Sequence, residues 1–151
     1  MKRPTLVLRC LDDWAAQQLQ PLAATQQWKL VELQRLSAWA ELFDPFQPMV
    51  GFLQTNLTDD KGAEIAALVA VAKRCPLLPV VVLSDVKLPV DDRALWTAMF
   101  LDCGASLVLY PPLTRTMLEE AARGLMQERL TTLRLTTPID LAMELADIRE
   151  I

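Results

Sequence analysis

The 151-residue sequence contains no histidine and only four glycines. Without histidine there is no Ser-His-Asp or Cys-His dyad, no HExxH zinc site and no phosphohistidine relay within the chain. Gly51, Gly62, Gly104 and Gly124 are too far apart to write either GxxxxGK[ST] or GxGxxG, so neither type of phosphate-cradling loop is present. Cations are scarce as well: 15 Lys and Arg against 19 Asp and Glu leave a net charge of −4, and no more than two cations ever stand side by side. The basic footprint of a nucleic-acid binder is missing. Long apolar runs are absent too. Ile65–Ala72 and Leu77–Leu83 are the longest, far short of the ~20 residues a membrane span needs. At the start, Arg9 interrupts the apolar run before a signal-peptide core forms. Cys10, Cys75 and Cys103 are odd in number, lack CxxC spacing and stand among apolar residues. They read as reduced core thiols of a cytoplasmic protein.

What remains is a chain with 52% hydrophobic and 23% charged residues, a composition that folds around a sizeable core. Its apolar segments alternate in kind. Thr5–Cys10 reads as a strand, after which Asp12 or Asp13 offers a cap for a helix to about Thr25. Trp28–Leu33 reads as the second strand, and Ser37 as the cap of a short helix over Ala38–Phe43 that stops before Pro45. Met49–Leu53 follows as a strand. Thr58, Asp59 and Asp60 are capping types before the helix Ala63–Arg74. Pro79–Leu83 is the continuous apolar run of a central parallel strand, and Asp91 or Asp92 then caps a helix that Gly104 closes. Ser106–Tyr110 is the fifth strand, and Thr114 or the Thr116-x-x-Glu119 box opens a fifth helix to about Leu130.

Five successive βα units imply an α/β fold with a parallel, doubly wound sheet and helices on both faces. Residues 1–130 form this domain. Residues 131–151 depart from the pattern: an extended Thr-rich linker, then a C-terminal helix from Pro138 with Ile139, Leu141, Leu145 and Ile148 on its apolar side. Any site of such a sheet lies at the carboxyl ends of its strands, here at Arg9, Cys10, Gln54, Ser84 and Tyr110–Pro112.

Three segments resemble the receiver domain of bacterial response regulators, over about residues 3–130. In Pro48–Gly62 (PMVGFLQTNLTDDKG), Gln54 and Gly62 stand where receivers carry the phosphorylated Asp and a glycine eight residues later. In LPVVVLSD, Ser84 stands at the Ser/Thr position, and in Leu101–Leu113 Pro112 stands at the Pro of Lys-Pro. The resemblance implies a flavodoxin-like (βα)5 sheet of strand order 2-1-3-4-5.

It also implies a chemistry that the residues do not supply. Receivers hold Mg²⁺ with an acidic pair after strand one together with the strand-three Asp, because a hard cation takes carboxylate oxygens. By spacing, the pair falls on Arg9 and Cys10, the nucleophile on Gln54 and the Lys on Pro111. A guanidinium repels Mg²⁺, a thiol is a poor ligand for it, an amide is no nucleophile, and proline has neither charge nor N–H. Only Ser84 is retained. The expectation is therefore a pseudo-receiver with no catalytic residue, metal or cofactor. It would act by contact as a protein-interaction and dimerisation module of a two-component-type signalling pathway, with neither nucleic acid nor membrane as partner. Arg9 either binds an anion or pairs with Asp12, Asp13 or Asp85. Trp96, Met99 and Phe100 on a helix apolar on nearly every face are candidate interface residues, with Leu145 and Ile148 from the tail; alternatively the tail covers that helix. Two other readings are a small-ligand binder or enzyme on a flavodoxin-like scaffold, and a conventional receiver using Asp12 and Asp13.

Overall fold

A computed structural model describes residues 2–57 and 61–136. Ten elements alternate along the chain: β1 (Thr5–Arg9), α1 (Trp14–Gln26), β2 (Lys29–Leu33), α2 (Leu36–Glu41), β3 (Met49–Thr55), α3 (Lys61–Arg74), β4 (Val80–Ser84), α4 (Val90–Asp102), β5 (Leu107–Leu109) and α5 (Arg115–Thr136). The strands form one parallel sheet in the order β2-β1-β3-β4-β5, as the sequence resemblance implied.

Side-chain alternation divides the strands between two apolar layers. Leu6, Leu8, Val50, Phe52, Val81 and Leu83 face α1 and α5, meeting Leu19, Leu22, Leu118, Ala122 and Met126. Val7, Leu53, Val80 and Val82 face the other side, against Trp39, Phe43, Leu68, Val71 and Phe100. Strand β4 is buried at every position, which explains why it reads as an uninterrupted Val/Leu run. Trp39, on the short α2, is fully buried, and its indole N–H donates to the carbonyl of Val7 at 3.1 Å. Its ring and that of Phe43 fill the space above Gly51, where a Cβ would lie 2.7 Å from Phe43 Cζ. Gly104 closes α4 at φ +116° with Ala72 directly against it, a place for glycine on both counts.

Several boundaries differ from the sequence-based expectation. Helix α2 begins at Leu36 with Arg35 at its N-cap position, so Ser37 lies within the first turn. Helix α4 begins at Val90 after Pro89, which puts Asp91 and Asp92 in its first turn beside the positive end of the helix dipole. Around α1 the capping bond comes from Asp12, whose Oδ1 accepts the Trp14 N–H at 3.0 Å; Asp13 makes none.

The largest correction concerns residues 131–136, expected to be extended and found helical. The stripe Leu118, Ala122, Met126, Arg129, Leu133 keeps the three-and-four spacing beyond Leu130, and all five residues are buried. Thr131 Oγ1 donates back to Gln127 O at 3.0 Å, so the threonine hydroxyl is accommodated within the helix. Thr58–Asp60, Pro138, Leu145 and Ile148 lie outside the described residues. Helix α4 rests against the last, three-residue strand; Phe100 is its buried residue, and Val90, Leu95 and Leu101 are exposed.

Candidate functional site

At the carboxyl ends of β3 and β4 a cavity of about 280 Å³ is lined by Asp12, Trp14, Gln54, Leu83, Ser84, Asp85, Pro111 and Leu113. The parallel register sets Gln54 of β3 beside Leu83 of β4, and Thr55 beside Ser84. The β1–α1 loop then folds over the strand ends. Gln54 is the centre of this arrangement and is 6% exposed. Its Oε1 accepts the backbone N–H groups of Leu11 at 2.7 Å and Asp12 at 3.3 Å, while its Nε2 donates to Asp12 Oδ1 at 3.0 Å. A neutral amide thus holds the β1–α1 loop to the sheet.

Ser84 is also occupied. Its Oγ donates to Val86 O at 2.9 Å and lies 3.1 Å from the Val86 N–H it accepts, closing a local turn. Asp85 follows with its backbone N–H on Thr55 O. Desolvation, and secondarily the Asp12 charge, raises the Asp85 pKa. Pro111 contributes neither cation nor donor to the rim.

Gln54, Ser84 and Pro111 are thus brought together as the sequence suggested, and Arg9 and Cys10 are not. Strand β1 ends at Arg9, whose side chain follows the parity of Val7 toward α3. Its Nη1 donates to Glu64 Oε2 at 2.7 Å and to Gln54 O at 2.9 Å, and its Nε to Gln34 O at 3.3 Å. Thr55 Oγ1 donates to the other Glu64 oxygen at 2.7 Å. None of Asp12, Asp13 and Asp85 is the partner of Arg9. Glu64 is, and the sequence reading missed it because the two residues belong to different units of the fold; a buried-strand arginine that requires a countercharge was the available signal. With both acceptors of Glu64 engaged, Arg9 is a part-buried structural cation and offers little to an added anion.

Cys10 faces the α1/α5 layer at 6% exposure. Burial first, then the Glu32 charge, pushes its thiol up to about 11. The loop Cys10–Asp13 carries Asp12 to the cavity without lengthening β1; Asp13 is not among the lining residues.

These residues do not fit the Mg²⁺ ion that the fold resemblance implies. Asp12 has Oδ1 committed to Trp14 and Gln54, Asp85 is the second carboxylate, and an amide stands in the third place. Among the described residues no three His, Cys, Asp or Glu side chains are grouped for a metal ion.

On α4, Trp96 stacks on Phe100 with ring centroids 5.8 Å apart. Phe100 belongs to the core, so of the expected interface residues Trp96 and Met99 retain partial exposure. The nearby Leu95, 72% exposed, was not singled out from the sequence. Tyr110 ties this helix to the end of β5: its OH donates to Arg93 O at 3.2 Å and accepts from Thr97 Oγ1 at 3.1 Å.

No family model and no curated protein matches the sequence. Solved structures do match the fold. The response regulator StyR superposes with a TM-score of 0.68 at 17% identity, over 97% of this chain and 70% of that one. A putative response regulator from Chloroflexus aurantiacus J-10-fl gives 0.62 at 15% identity, over 83% of this chain and 99% of the other. NtrX from Brucella abortus gives 0.61 at 19% identity, over 98% of this chain, which spans 30% of the NtrX chain. The shared property is the receiver fold. No helix among the described residues is long and apolar enough to cross a membrane.

Proposed function

We propose that this chain is a receiver-type domain that has lost phosphotransfer and works as a protein-interaction and dimerisation module in cytoplasmic two-component-type signalling, without enzymatic activity. The observation that carries the reading is Gln54. A neutral amide stands where the nucleophile of this fold would stand, and its hydrogen bonds hold the loop that would have supplied the metal ligands. The fold shared with response regulators supports the signalling context. Residues that handle Mg²⁺ and phosphate are replaced and the scaffold is kept, which favours contact as the means of signalling. The contact surface in this reading is the outer side of α4, with Leu95, Trp96 and Met99, continued onto β5 and α5.

Two other readings fare less well. At about 280 Å³ the cavity falls just below the ~300–1,000 Å³ of small-molecule sites, and it is open to solvent. A Mg²⁺-dependent receiver using Asp12 and Asp13 would need both at the cavity, and Asp12 alone of the two lines it.

Incubation with acetyl phosphate and Mg²⁺ followed by intact-mass measurement should give no adduct; a stable phosphoryl adduct would overturn the reading. Light scattering of the wild type and of Trp96→Glu tests the dimer. The wild type should be dimeric and the variant monomeric, and a monomer in both cases removes dimerisation from the proposal.

A further inference from the structure

Strand β2 is an edge strand, and α2, only six residues long, leaves part of the sheet beside it uncovered. On the α2 side of the sheet, the register aligns Lys29, Thr5 and Met49 in one row and Val31, Val7 and Gly51 in the next. Of these six, all but Gly51, which the Trp39 and Phe43 rings cover, line a groove of about 230 Å³ together with Lys2, Arg3, Leu42, Asp44 and Gln47. Three cations against one carboxylate make its rim basic on a chain of net charge −4. None of Lys2, Arg3 and Lys29 forms an ion pair with another described residue. Leu42 is exposed, and the buried Oε1 of Gln47 has no hydrogen-bond partner among the described residues. The groove therefore combines apolar side chains with cations and an acceptor that have no partner among the described residues.

We propose that the acidic segment 138–148, which follows α5, docks in this groove of its own chain. The inference is independent of the signalling reading above. Helix α5 delivers the chain to the right place: Arg129 donates to the carbonyls of Asp44, Pro45 and Gln47, and the first and last of these residues line the groove. Thr136 ends the described helix seven residues later, about 10 Å farther along its axis. The sequence beyond it has the matching pattern. Leu141, Leu145 and Ile148 recur at spacings of four and three, and Asp140, Glu144 and Asp147 precede each of them by one position. In a helix this sets an acidic stripe directly beside an apolar one, which suits an apolar floor with a basic rim. Such a contact commits the tail in cis and places the candidate residues Leu145 and Ile148 away from α4.

Zero-length carbodiimide crosslinking of the full-length protein tests the placement, because it joins amines and carboxylates that are already paired. Lys2 or Lys29 should link to Asp140, Glu144 or Asp147, and in a mixture of ¹⁴N and ¹⁵N protein the linked peptides should come from one chain. Replacing Lys2, Arg3 and Lys29 by Glu should lower occupancy about tenfold, the expectation for three surface charge contacts acting together; occupancy is read as the hydrogen-exchange rate of the backbone amides of Val31 and Met49. Leu145→Asp with Ile148→Asp, which leaves the sheet untouched, should speed the same amides. Links confined to Lys73 or Lys87, linked peptides of mixed isotope indicating a second copy, or exchange unchanged in both variants would each overturn the proposal.

Discussion

The guanidinium of Arg9 lies 2.7 Å from the carboxylate of Glu64, with the two side chains 15% and 4% exposed. Thr55 and the carbonyl of Gln54 complete the arrangement, so a charged residue at the end of an interior strand has its countercharge within the fold. A buried pair of this kind contributes little against an apolar replacement of both members, but removing one member strands the other. Glu64→Gln and Arg9→Met should each lower unfolding stability by about 3 kcal/mol. The double variant should lose clearly less than the sum of the two. Urea denaturation of all four proteins measures the coupling, and additive losses would mean that the pair does not act as a unit.

Gln54→Asp tests what the amide contributes. The substitution removes the Nε2 donor to Asp12 Oδ1 and sets a carboxylate against a carboxylate in a site of low exposure. A loss of about 1–3 kcal/mol is expected from the unsatisfied contact and the repulsion. Introducing the acid should not introduce phosphorylation, because Pro111 supplies no cation and Asp12 is turned to residue 54. Thermal unfolding and intact mass after acetyl phosphate treatment check both parts. A stable phosphoryl adduct on the variant would show that Gln54 alone separates this site from a working one.

The difference between Gln54 and Arg9 shows how far the sequence could be read. Local patterns carried the five βα units: Pro79–Leu83 reads as a continuous apolar run and the strand Val80–Ser84 is buried at every position, and Gln54, Ser84 and Pro111 meet at one cavity because strand ends converge there. What escaped depended on long-range partners or on competing local preferences. Glu64 stands in the first turn of α3, far along the chain from β1, and nothing local marks it as the countercharge of Arg9. Asp12 reaches Gln54 through a loop whose path spacing alone does not specify. The threonines from Thr131 onward argue against helix by propensity, yet the buried Leu133 continues the apolar stripe of α5 and tertiary burial prevails.

Two glycine substitutions should act in opposite directions. At Gly51 a Cβ would meet Phe43 Cζ at 2.7 Å and Trp39 Cζ2 at 3.2 Å. Both rings are buried, so Gly51→Ala should cost about 1–3 kcal/mol by overpacking. Gly124 lies on the exposed side of α5, and an added Cβ there would have nothing within 4 Å. Gly124→Ala should stabilise by roughly 0.5–1 kcal/mol through helix propensity. Equal and small effects in urea denaturation would contradict the contact geometry around Trp39.

The thiol of Cys10 gives a stability change at high pH whose sign follows from its environment. Burial, then the Glu32 charge, raises its pKa from 9.0 to about 11 in the folded protein. Between these values the unfolded chain releases the proton while the folded chain keeps it, so stability falls as pH rises; below pH 9 the group contributes no slope. At pH 10.5 the loss relative to pH 8 should be about 2 kcal/mol from this residue. Other groups titrate in the same range, among them Cys75, whose thiol is also raised by burial. Comparison with Cys10→Ala isolates this thiol: the wild type should lose about 2 kcal/mol more than the variant between the two pH values in urea denaturation. Parallel losses in the two proteins would place the Cys10 thiol in a wetter environment than the α1/α5 layer provides.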